Sequence, residues 1–121
     1  MPSKKTLVLG ASANPARYSY LAINKLRDHH HEVVAIGKKT AIVSDVTIAT
    51  TQIAAKGIDT VTLYLNPGNQ VPYYSYILSL HPRRIIFNPG TENPELQKLA
   101  LQNNIIVQEA CTLVLLSTNQ Y

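Results

Sequence analysis

The chain has 121 residues, of which 45% are apolar and 15% charged, with a formal net charge of +4 and a single cysteine. This describes one compact globular domain over residues 1–121 with an ordinary core, and it excludes a disordered chain and a disulfide scaffold. The basic residues are scattered rather than gathered in a tract, no apolar run approaches the roughly 20 residues of a membrane helix, and no signal-peptide layout follows Lys4-Lys5. The expectation is a cytoplasmic protein whose partner is a small anionic molecule, with no nucleic acid and no membrane.

Residues 5–10 predict a buried strand, apolar on both faces at Leu7, Val8 and Leu9. The strand breaks at Gly10. A small-residue loop through Ala11, Ser12, Asn14, Pro15 and Arg17 then opens a helix over residues 18–29, where Ser19, Ala22, Ile23 and Leu26 fall at helical spacing. Strand, small-residue loop and helix start together make an anion site. The first helical N–H groups have no intrahelical partner, and the helix dipole adds positive potential there. Gly10 lets the backbone turn and a phosphate approach, and Arg17 offers a bidentate clamp. Of the glycines in the Gly-x-Gly-x-x-Gly fingerprint of NAD sites only Gly10 is present, with Ser12 and Pro15 at the other places, and there is no Gly-Lys-Ser/Thr. The pattern is that of a nucleotide-phosphate loop of another kind.

Residues 32–37 predict the second strand, followed directly by Lys38 and Lys39. An NAD site carries an acid at this tip for the ribose hydroxyls. Two cations there are either a solvated pair on a turn or a site for a phosphorylated ribose, as in NADP or in coenzyme A with its 3′-phosphate. Ile42-Val43 and Val46-Thr47-Ile48 suggest a small edge hairpin around Ser44-Asp45, and residues 51–56 a turn of helix. Residues 59–65 form a strand rich in β-branched side chains, broken by Asn66-Pro67-Gly68-Asn69; a helix follows to residue 80 with Pro72 in its first turn. The strand over residues 84–87 ends in Asn88-Pro89-Gly90, and Thr91 or Asn93 caps a helix through residue 103. Ile105-Ile106-Val107 is the last strand, and residues 110–116 form an apolar strand or short helix packing back on the sheet.

Strands alternating with helices predict an α/β fold: a doubly wound, mostly parallel sheet in three α/β/α layers, with ligands beyond the carboxyl ends of the strands at the topological switch point. The consecutive His29, His30 and His31 cannot converge on one metal ion from a regular element, and a helix end accounts for them. Cys111 lies in an apolar context that suits a buried thiol. Tyr73, Tyr74 and Tyr76 crowd one helix, either as an amphipathic face with its phenol oxygens in water or as a self-associating surface. No Ser/His/Asp or Cys/His order and no pair of carboxylates marks an independent catalytic site.

Taken in order, Gly10-Ala11-Ser12-x-Asn14-Pro15-x-Arg17-Tyr18-Ser19, Ile36-Gly37-Lys38-Lys39, Asp59-Thr60-Val61-Thr62-Leu63-Tyr64, Ile86-Phe87-Asn88-Pro89-Gly90-Thr91-Glu92-Asn93 and Cys111-Thr112-Leu113-Val114 resemble the small stand-alone CoA-binding proteins. Their fold is that of the CoA-binding N-terminal domain of the succinyl-CoA synthetase α subunit. The resemblance implies a Rossmann-like single domain that binds coenzyme A or an acyl-CoA. It implies the pyrophosphate on the loop of Gly10, Ala11, Ser12, Asn14, Pro15, Arg17, Tyr18 and Ser19, with Lys38 and Lys39 near the adenosine phosphates. Asn66 and Pro67 would flank the adenine or pantetheine path, and Asn88, Pro89 and Gly90 the far wall. Such chains usually carry Gly where His30 stands, so His30 takes a left-handed conformation or the turn differs. The ligase machinery of the synthetase, including its phosphorylated histidine, lies in another domain and subunit. The resemblance therefore implies binding without catalysis, or activity only with a partner protein; a homodimer through the Tyr-rich helix is the other association the sequence leaves open. The rivals are an NADP-binding reductase-like domain and a Tyr-rich self-association module.

Overall fold

The computed structural model describes Ser3–Tyr121. In chain order the elements are β1 (Thr6–Ala11), α1 (Tyr18–Asp28), β2 (Val33–Gly37), β3 (Ala41–Val43), β4 (Val46–Ala49), β5 (Thr60–Leu63), α2 (Pro67–Gln70), a 3-10 turn (Val71–Tyr73), α3 (Tyr74–Ser79), β6 (Arg84–Phe87), α4 (Pro94–Gln102), β7 (Ile106–Glu109) and α5 (Thr112–Ser117). The seven strands form one sheet in the order β3-β4-β2-β1-β5-β6-β7, parallel throughout except for the β3–β4 hairpin. This is the expected Rossmann-like α/β fold. The chain winds outward from β1 through β2 to one edge, then returns to lay β5 on the other side of β1. The switch point lies between the carboxyl ends of β1 and β5.

Alternation along the strands fills two cores. Leu7 and Leu9 of β1 join Val61 and Leu63 of β5 and Ile85 and Phe87 of β6 beneath α3 and α4. Val8 joins Ala35, Ile48 and Leu116 beneath α1 and α5. Ser19, Ala22, Ile23 and Leu26 are the buried residues of α1, as the helical spacing predicts. The register of β1 against β2 shifts between Leu9 and Ala11, which places Ala11 with the α1 core and carries the strand past Gly10. On the α5 side, β5 and β6 turn a polar row inward: Thr60, Thr62, Arg84 and Asn88 are all buried there.

His30 takes the left-handed conformation, with φ 64°. The His30 N–H donates to the Arg27 carbonyl at 2.9 Å and the His31 N–H to the Leu26 carbonyl at 3.0 Å, a Schellman closure normally built with glycine. The three histidines diverge: His29 Nδ1 meets the Lys25 carbonyl, while His31 is buried and its Nδ1 accepts from the Lys4 backbone N–H.

Two expectations need correction. Residues 51–56 form no helical turn; the Ile53 carbonyl that a helix would use accepts from the Tyr76 hydroxyl at 2.5 Å, and Gln52 Nε2 donates to the Pro72 carbonyl at 3.0 Å. This strap is fastened from a distant helix. The helix expected to start at residue 69 or 70 starts at Pro67 under an Asn66 cap, and passes through a 3-10 turn at Val71–Tyr73 before α3 begins. Of the alternatives left open, the structure takes Asn93 as the cap of α4 and a short helix at residues 112–117.

Candidate functional site

The loop from Gly10 to Arg17 is shaped by its own small polar side chains. Asn14 N–H donates to Ser12 Oγ, Ala16 N–H to Asn14 Oδ1, and Arg17 N–H to the Asn14 carbonyl, each at 3.0 Å. Gly10 has φ +94°, and a Cβ there would stand 2.9 Å from the Tyr64 carbonyl carbon, so the crossing of β1 and β5 needs glycine. The loop delivers Arg17 as N-cap of α1 in an extended conformation that makes no side-chain cap. The N–H groups of Tyr18 and Ser19 therefore point out of the helix start without an intrahelical or capping acceptor. No acid sits in that first turn.

This loop forms the floor of a cleft of about 1380 Å³ along the carboxyl edge of the sheet. Gly10, Ala11, Ser12, Asn14, Arg17, Tyr18 and Ser19 line it from the loop. Lys38 and Lys39, both exposed, line it from the end of β2. Asn66 lines it beyond β5, and Pro89 and Gly90 beyond β6. Three of the residues singled out from the sequence are not in the lining. Pro15 is exposed at the back of the loop, and Pro67 is the first residue of α2. Asn88 turns into the protein: its Nδ2 donates to Thr62 Oγ1 at 2.7 Å and the Leu63 carbonyl at 2.8 Å, and its Oδ1 accepts from the Thr112 N–H at 2.9 Å. Asn88 ties β5, β6 and α5 together and fixes the turn that presents Pro89 and Gly90.

The cleft is electrostatically one-sided. Arg17, Lys38 and Lys39 are its charged lining residues, and no Asp or Glu joins them. Among the described residues the ion pairs are Lys5–Glu32, Arg27–Asp45 and Arg83–Asp59, so none of the three cleft cations is neutralised by a protein carboxylate. Such a surface attracts anions and holds them by charge-assisted hydrogen bonds. Tyr64 lies in the floor with its hydroxyl buried and without a hydrogen-bond partner, and burial pushes its phenol up, so it stays neutral.

Sequence reasoning missed part of the wall. Thr50, Thr51 and Gln52 line it from the strap, and Leu65, Asn69, Pro72, Tyr73 and Thr91 complete the side beyond β5. The buried amides of Gln70 and Asn93 lie behind that side. The Tyr-rich segment serves it too: Tyr76 holds the strap, and the Tyr74 hydroxyl accepts from Asn93 Nδ2 at 2.8 Å. Cys111 is half-buried at the start of α5, outside the cleft lining. Among the described residues no helix is long and apolar enough to cross a membrane.

Fold and site together define a Rossmann-like domain with a cation-lined cleft at its switch point. A family model described as CoA binding domain matches residues 4–117, and the chain belongs to that family. A crystal structure of an uncharacterised protein is 48% identical, covering 100% of both chains with a TM-score of 0.96. A Thermus thermophilus structure is 19% identical over 98% of this chain and 91% of its own, with a TM-score of 0.86. A hypothetical protein from Pyrococcus horikoshii OT3 is 22% identical over 93% of this chain and 80% of its own, with a TM-score of 0.84. The latter two share the fold. No curated protein shows significant similarity to the chain. The family supports CoA binding in general.

Proposed function

We propose that this protein binds coenzyme A, free or acylated, and performs no chemistry on it alone, acting by itself or with a partner protein. The observation that carries this is a cleft with three cations and no acid, laid over an uncapped helix start, in a member of the CoA binding domain family. The pyrophosphate takes the N–H groups of Tyr18 and Ser19, with Arg17 clamping its oxygens and Ser12 and Asn14 holding the loop around it. Lys38 and Lys39, one strand away at the end of β2, neutralise the 3′-phosphate of the ribose. Leaving the loop in the other direction, the pantetheine arm crosses the end of β5 at Asn66 and runs toward Pro89 and Gly90. Pro15, Pro67 and Asn88 act through the turns they shape.

Arg17→Ala tests the reading. Titration with CoA should show affinity weaker by about 1–3 kcal/mol, the range for a hydrogen bond to a charged group, with an unchanged melting temperature. Unchanged affinity would remove Arg17 from the site.

A further inference from the structure

Beyond the phosphate loop, the cleft wall is built by two turns from different strands: Leu65 and Asn66 after β5, and Pro89 to Thr91 after β6. No sheet hydrogen bond holds one turn to the other past Leu63 and Phe87, where the β5–β6 ladder ends. What joins them is Gln70, a fully buried residue at the end of α2. Its Nε2 donates to the Leu65 carbonyl and to the Thr91 carbonyl, both at 2.8 Å. Its Oε1 accepts from Asn93 Nδ2 at 2.9 Å, and the same Nδ2 donates to the Tyr74 hydroxyl. Asn93 Oδ1 in turn accepts from the N–H groups of Glu95 and Leu96. Both amides thus use both ends. Leu65 and Thr91 line the cleft, whereas Gln70 and Asn93 do not.

We infer that Gln70 and Asn93 are a clasp that sets the spacing of these two turns, and so positions the end of the cleft that receives the pantetheine arm, the part of CoA that carries the acyl group. This rests on the CoA reading above. Gln70 and Asn93 are positioning residues; they touch the turns and not the ligand. The clasp lies on the β5–β6 side, while the nucleotide half of CoA is assigned to the β1 loop and the Lys pair. Breaking the clasp should therefore separate the two halves of the ligand, which a general loss of stability would not do.

The test is Gln70→Leu, which keeps most of the volume but leaves both carbonyls without their donor. Wild type and variant are titrated with CoA and with 3′-phospho-ADP, its nucleotide half. The expected result is CoA affinity at least about tenfold weaker with 3′-phospho-ADP affinity within about twofold of wild type, since distant sites behave independently. Equal losses for both ligands, or no loss for either, would overturn the clasp. Should the variant not fold, hydrogen exchange on wild type decides: CoA should protect residues 65–70 and 89–93 together and 3′-phospho-ADP should protect neither segment, any other pattern overturning it. Wild type that binds neither compound sinks the CoA reading and the clasp with it; wild type that binds both equally well sinks the clasp alone.

Discussion

Of the helices that begin on the carboxyl edge of this sheet, α1 and α4 begin differently. At α4, Asn93 accepts from two first-turn N–H groups, Pro94 follows at the position that lacks a donor to waste, and Glu95 faces the positive end of the dipole. At α1, the N-cap is Arg17, its side chain caps nothing, and the first turn holds no acid. A capping side chain is worth about 1 kcal/mol to a helix, so α1 forgoes stabilisation that α4 takes. Around the α4 start, Asn93 and Gln70 are buried and interlocked. Beside the α1 start, a cleft of uncompensated cations lies open. The two starts differ in whether the chain itself supplies the acceptor, and the proposed function places the pyrophosphate at the one where it does not.

The largest way to break this contrast is to disturb the strand crossing beneath the α1 loop. A Cβ on Gly37 would stand 2.2 Å from the Ala11 carbonyl oxygen, a contact with backbone that cannot rotate away. Gly37→Ala is expected to destabilise by about 3 kcal/mol or more, read from the urea midpoint. Asn93→Ala should cost about 2–3 kcal/mol by the same measurement, because it removes the α4 cap and leaves the buried Gln70 Oε1 unpartnered. Arg17→Asp makes α1 resemble α4: a cap and an acid at the helix start should raise stability by about 1 kcal/mol while CoA binding disappears in titration. Gain of stability with retained affinity would mean that the uncapped start is not the ligand's place.

The smallest effect lies at the opposite edge of the sheet. There His31 stacks on Tyr121 with ring centroids 4.9 Å apart, and the Arg84 guanidinium covers the same Tyr121 ring. Burial holds His31 below its ordinary value, helped by the positive charges of His29, Lys4 and Arg84 and opposed by Asp59. The unfolded chain then binds the proton more readily than the folded one, so stability falls as pH drops below about 6.5. His31→Gln should flatten that part of the pH–stability profile; an unchanged profile would show that His31 does not cause it.

The α/β alternation, the buried stripe of α1 and the edge hairpin are legible in the sequence because each depends on local periodicity. So is the small-residue loop between β1 and α1, whose parts from Gly10 to Ser19 are contiguous. Residues 51–56 were not legible, since their shape is imposed by Tyr76, 23 residues from Ile53. The Gln70–Asn93 pair escapes for the same reason, its partners also lying 23 residues apart. Asn88 is an intermediate case. Its turn chemistry is readable, but strand alternation puts its side chain on the face of Arg84 and Ile86, where Thr62 and Thr112 receive it rather than a ligand.

The central claim is that the cations of this cleft hold the phosphates of CoA, and isothermal titration with CoA, dephospho-CoA and NADP at one fixed salt concentration tests it most directly. The account predicts binding of CoA, clearly weaker binding of dephospho-CoA through loss of the Lys38 and Lys39 contacts, and still weaker binding of NADP. Preference for NADP, or no binding of any of the three, would contradict it.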